Sequence, residues 1–139
     1  MEKGKDVPLT DKSSYMTVYL IAYVIECLLS LLFLYTGSTK VFLNGEKLKK
    51  FVPISVDVPI KLLRKIGMLE LLASFGIAVP VCVGIFPLLV LFADAGIVFL
   101  MIGAILYHFT RKQWGMLFTN LMVIAMALFV IYEMVFTAN

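Results

Sequence analysis

The chain has 139 residues, 62% of them hydrophobic and 15% charged, with a net charge of +3. A soluble domain carries about 45–50% apolar and about 25% charged residues, so a water-facing fold is excluded, and the weak, scattered positive charge excludes a nucleic-acid partner. The apolar surplus falls into four blocks, each close to the roughly 20 residues that cross a bilayer core, and the length leaves room for one membrane bundle.

Residues 1–14 read as a polar N-terminal tail. They mix Glu2, Asp6 and Asp11 with three lysines, and no small-residue cleavage site ends the apolar run that follows, so they are not a signal peptide. The first span is expected over about 15–38, with Glu26 as its one charge. A basic connector, 39–59, follows. Within it Glu46-Lys-Leu-Lys-Lys-Phe-Val52 sets Leu48, Phe51 and Val52 against lysines, the pattern of a short amphipathic helix lying in the membrane interface with its lysine stems reaching for water. Pro53 ends it, and Asp57 with Pro59 offers a cap and a first-turn proline for the next helix.

The second span is expected over about 60–83 with Glu70 inside, the third over about 87–109 with Asp94 and His108, and the fourth over about 114–136 with Asn120 and Glu133. Trp114 and Tyr132 suit an interfacial aromatic belt. Short connections make the last three spans antiparallel neighbours. The fold class is therefore all-α: an integral membrane four-helix bundle, spanning 15–136, with an interfacial helix between its first two spans.

An ionisable side chain in the bilayer core costs about 2.5–3.5 kcal/mol on insertion scales, so it faces the bundle interior and seeks a partner. Helical phase agrees. In the first span Glu26, Ser30, Phe33, Gly37 and Lys40 form one seam; Gly67, Glu70 and Ser74 form another, and Asp94, Met101 and His108 share a face of the third. Counting about 1.5 Å per residue, Lys40, Glu70, His108 and Asn120 fall into one polar layer near the connector side. Glu26 and Asp94 fall into a second, deeper layer. With no basic residue at their depth, these two carboxylates are candidates to bind a cation, an amine or a polar head group, or to relay protons. Each of these residues also has a plain structural reading: Lys40 with Glu70 as an ion pair fixing register, His108 as an interfacial histidine, Asn120 as a backbone hydrogen-bonding residue.

Cys27 and Cys82 have no C-x-x-C spacing and no ligand spacing with His108, so dithiol and metal chemistry have no support, and both read as small apolar core residues. The connector with the start of the second span, 39–65, holds seven lysines and arginines and the last loop two, against three in the tail. The positive-inside rule then places connectors one and three in the cytosol and both termini outside.

The run Gly37-Ser-Thr-Lys40, followed by Gly67-Met-Leu-Glu70, then Gly103-Ala104 with His108, and Asn120, resembles the DoxX-like family over about Leu31 to Glu133. The resemblance implies a four-helix membrane fold within a clan that includes DoxX, DoxD and, distantly, the receptor-assembly chaperone NACHO. It marks Lys40, Glu70, His108 and Asn120 as candidate ligand- or partner-binding residues, with Gly37 and Gly67 as structural glycines. Glu26 and Asp94 lie outside that pattern and stand on the physics alone.

Two classes of function are open. One is a non-catalytic accessory or assembly factor that binds a partner's membrane helices, or a lipid-like ligand, in a polar bundle interior. The other is a membrane subunit of a quinone-linked oxidoreductase complex, the one setting in which a cofactor, quinone, enters. A small proton or cation transporter is a third option. The chain has no flavin or haem signature and no paired cysteines, so no catalytic residue, resident cofactor or metal, and no enzymatic activity of its own, is expected.

Overall fold

The computed structural model describes residues 9–51, 58–84 and 87–137. They form five helices: α1 (Leu9–Phe42), α2 (Gly45–Phe51), α3 (Ile60–Val83), α4 (Pro87–Thr110) and α5 (Trp114–Thr137), with no strand among the described residues. All but α2 are long and apolar enough to cross a membrane. The protein is a multi-pass, all-α membrane bundle.

The helix ends follow from where the sequence can stop a helix. No proline or glycine lies between Pro8 and Gly37, and α1 accordingly begins six residues before the expected Tyr15 and takes in part of the supposed tail. It also runs past Ser38 to Phe42, which places Lys40 in its last turn rather than in the connector. In α2, Leu48 is fully buried while Phe51 is exposed, as are Lys47, Lys49 and Lys50. The expected apolar side thus reduces to Leu48; Val52, Pro53 and Asp57 lie outside the described residues. Pro59 stands just before α3, in the cap position with φ −55°, not in its first turn. At the far end Gly84 takes φ 69°, a left-handed conformation natural to glycine, and its N–H donates to the Pro80 carbonyl at 2.8 Å. Lys112 takes φ 55° in the α4–α5 turn, where the Gln113 N–H closes onto the His108 carbonyl at 3.0 Å.

The helices close a ring: α3 packs on α1 and α4, and α5 packs on α4 and α1. Two contacts fix the antiparallel register of α1 and α3. A Cβ placed on Gly37 would lie 2.8 Å from the Gly67 carbonyl oxygen, and seven residues back along α1 Ser30 meets Ser74, seven residues on along α3. The core between the helices is apolar, centred on Leu29, Phe33, Ile77, Ile97, Met101 and Ala127. The outer face carries exposed Leu31, Leu72, Phe92, Phe99 and Phe118, as lipid contact requires. Cys27 is half-buried and Cys82 exposed, and both are free. Cys82 is therefore no core residue: it falls off the α3 face that buries Gly67, Glu70, Ser74 and Ile77.

Candidate functional site

The polar residues on the inward seams form separate groups. On the connector side, the Lys40 ammonium pairs with Oε1 of Glu70. Glu70 is 3% exposed, and its Oε2 has no hydrogen-bond partner. The pair is possible because the two helices nearly touch beside it. A Cβ on Gly67 would lie 2.7 Å from Lys40 Cβ and 3.0 Å from the Gly37 carbonyl oxygen, so only glycine fits at this crossing. About 10 Å further in (seven residues) the Ser74 hydroxyl donates to the Ser30 carbonyl at 2.8 Å, and the Ser30 hydroxyl reaches the Ser74 carbonyl at 3.2 Å. This reciprocal clasp satisfies both hydroxyls in the membrane interior. The phase of the two seams contained both serines, but their mutual pairing needed the register.

His108 and Asn120 complete the residues assigned to that layer. The His108 Nδ1 lies 2.7 Å from Oε1 of Gln113, with the ring N–H donating in that tautomer. The imidazole is buried and tied to the α4–α5 turn, and no hydrogen bond or ion pair joins it to Lys40 or Glu70 among the described residues. Gln113, read from sequence only as part of a polar loop, is thus the residue that holds His108. The Asn120 side chain is half-buried, and its Nδ2 is enclosed without an acceptor.

The deeper group is Glu26 on α1 and Asp94 on α4. Glu26 is 4% and Asp94 0% exposed, their carboxyl groups lie within interaction range of each other, and all four oxygens are enclosed without a hydrogen-bond partner among the described residues. Glu26 lies 14 residues from Lys40, about 21 Å along α1. Between the two levels the bundle is filled by Leu29, Phe33, Ile77, Ile97 and Met101. Together with the closed Ser30–Ser74 clasp, this apolar plug separates the two ionisable levels, so the interior is not one continuous polar lumen.

A third feature lies outside the bundle axis. Between α3 and α4 a groove of about 630 Å³ opens towards lipid, floored by Ala73, Gly76, Ala93 and Gly96 and walled by Leu72 and Phe99. Leu69 and Leu72 also line an adjoining hollow that reaches Lys65 near the start of α3. The signal for this groove was in the sequence, as small residues three apart on both helices, but it did not stand out among so many apolar residues.

A model of the DoxX-like family matches residues 24–130. No curated protein and no solved structure gave a significant match.

Proposed function

This chain belongs to the DoxX-like family, and from that premise we propose that it is a non-catalytic membrane accessory protein that holds a lipid-like amphiphile along α3. The observation that carries this reading is the groove between α3 and α4. Its volume lies within the range of small-molecule sites, about 300–1,000 Å³. Its lining is apolar along its length, and its neighbouring hollow ends at a lysine. Apolar chains would lie against Gly76, Ala93 and Gly96, and an anionic head group would meet Lys65, with Lys61 and Arg64 within one turn. The bundle interior offers a poorer berth, because apolar side chains occupy the space between its polar levels.

Native mass spectrometry from mild detergent tests the reading. Bound phosphatidylglycerol is expected in preference to phosphatidylcholine. Gly96→Phe should remove most of it, because a Cβ at Gly96 meets nothing within 4 Å and the ring would enter the groove without disturbing the helices. Lys65→Glu should abolish the preference, a loss of roughly fivefold given about 1 kcal/mol per basic residue at an anionic surface. A co-purifying quinone would favour the oxidoreductase-subunit reading, and a co-purifying polypeptide displaced by Gly96→Phe would favour a partner helix. Either would overturn the lipid assignment.

The same reading places Lys65 in the cytosolic leaflet, with both termini outside, on the lysine and arginine bias of the connectors. In a chain whose native cysteines are replaced, Lys47→Cys and Gln113→Cys should react with a membrane-impermeant maleimide only from the cytosolic side, and Lys3→Cys and Asn139→Cys only from the other. The opposite pattern reverses the orientation.

A further inference from the structure

We propose that Glu26 and Asp94 form a proton-holding carboxyl pair within the membrane, a site independent of the lipid groove. A bilayer interior strongly disfavours a bare ion, and two adjacent carboxylates disfavour each other as well. Both side chains are more than nine-tenths buried, they lie within interaction range of one another, and among the described residues no hydrogen bond reaches any of their four oxygens. Among the described residues the charge has no compensating cation nearby. On α1 the flanking basic residues are Lys12 and Lys40, each 14 residues from Glu26, and Lys40 is already paired with Glu70. On α4 His108 is 14 residues from Asp94 and bonded to Gln113, α5 carries no Lys, Arg or His, and those of α3 lie in its first turns. The remaining titratable groups towards this end include Tyr15, Tyr19, Tyr23 and Cys27 on α1, Cys82 on α3, and Tyr132 and Glu133 on α5; none carries a positive charge to serve as a counter-ion.

The backbone of α3 carries an open acceptor at a similar level. Pro80 lies inside α3, so it supplies no N–H to the Gly76 carbonyl four residues earlier. A Cβ on Gly76 would lie 3.1 Å from that of Ala93, the residue preceding Asp94. An acceptor without its helical donor therefore occurs in the α3–α4 contact, at the level of the residue that precedes Asp94. Position supplies a route for exchange. Asp94 is seven residues from the start of α4, about 10 Å from that end of the bundle, whereas the apolar plug separates the pair from the opposite end. The shorter path for proton exchange therefore runs to the end where α3 finishes and α4 begins.

Infrared spectroscopy of the protein in lipid nanodiscs at neutral pH reads the site directly. A carbonyl band of protonated carboxyl is expected, moving to lower frequency in D₂O and lost in the Glu26→Gln, Asp94→Asn double variant. Each single variant, an isosteric neutral stand-in for the protonated acid, should fold and keep at most one such carboxyl. A second readout is dicyclohexylcarbodiimide, whose N=C bond takes up a carboxylic O–H and retains the whole reagent as an acylurea. One reagent per chain on Glu26 or Asp94 is expected, falling about tenfold per pH unit once the pair ionises. Absence of the band at neutral pH overturns the proposal, as does a band that never exchanges in D₂O, since the pair would then be a sealed structural contact. Loss of the band on adding sodium at constant pH also overturns it, in favour of a metal-cation site.

Discussion

The α1–α3 seam and the lipid-facing side of α4 both carry glycine, in opposite surroundings. At the seam, Gly37 and Gly67 are buried, and a Cβ on either would strike the other helix at 2.7–3.0 Å. On α4, a Cβ on Gly96 or Gly103 would meet nothing within 4 Å. The seam also holds the Lys40–Glu70 pair and the Ser30–Ser74 clasp. Small residues there bring two backbones together so that polar groups can reach each other. Beside the groove they leave room that the protein itself does not fill. In a membrane, where apolar burial gives little drive to associate helices, close packing and hydrogen bonds hold a bundle, so these two glycine settings divide the molecule into a fastened half and an open half.

The sharpest way to break the comparison is to cut the ion pair. Lys40→Ala or Glu70→Ala leaves an uncompensated buried charge, on the order of 3–5 kcal/mol for buried pairs. Each single variant should lose thermal stability in detergent markedly, and the double variant should recover part of that loss. Strictly additive losses in a double-mutant cycle would show that the pair does not couple the two helices. Gly67→Ala is expected next, at about 1–3 kcal/mol, because the obstructing atoms are a backbone carbonyl and the root of a side chain rather than its flexible tip. Gly96→Ala should have the smallest effect and the opposite sign, a gain of up to about 1 kcal/mol from helix propensity. If Gly67→Ala and Gly96→Ala shift the melting temperature alike, the distinction between the two halves fails.

The fold class was legible because a bilayer forces its spans to declare themselves as long apolar blocks, and the seams were legible because an intramembrane charge must turn inward. Glu26, Ser30, Gly37, Glu70, Ser74 and Asp94 all lie buried on the seams expected of them. What one-dimensional spacing could not supply was which members of a layer touch. Spacing puts Lys40, Glu70, His108 and Asn120 in one layer, yet His108 is taken by Gln113, five residues on, because the left-handed Lys112 turns the chain back beneath it. Helical phase put Phe33 and Met101 on the same seams as the polar residues. It did not foresee that Leu29, Phe33, Ile77 and Met101 would meet across the axis and divide the interior in two. The start of α1 was misplaced for a different reason: polar residues such as Ser13 and Ser14 read as tail, but nothing in their backbone chemistry stops a helix, and the Thr17 hydroxyl even bonds back to the Ser13 carbonyl at 2.9 Å.

That extra length of α1 has a consequence for the surrounding membrane. Its candidate span, Lys12–Phe42, covers 31 residues against 23 or 24 for each of the others, about 46 Å beside about 36 Å. The register with α3 puts the excess at the N-terminal end of α1, past Val83, where Tyr15, Met16, Tyr19 and Leu20 stand exposed. α1 therefore stands about 10 Å beyond its neighbours at that end. Its overhang begins with Lys12, Ser13 and Ser14 and carries Tyr15 and Tyr19, residues that suit the head-group region, so one helix of this small protein reaches further into the interface than the other three.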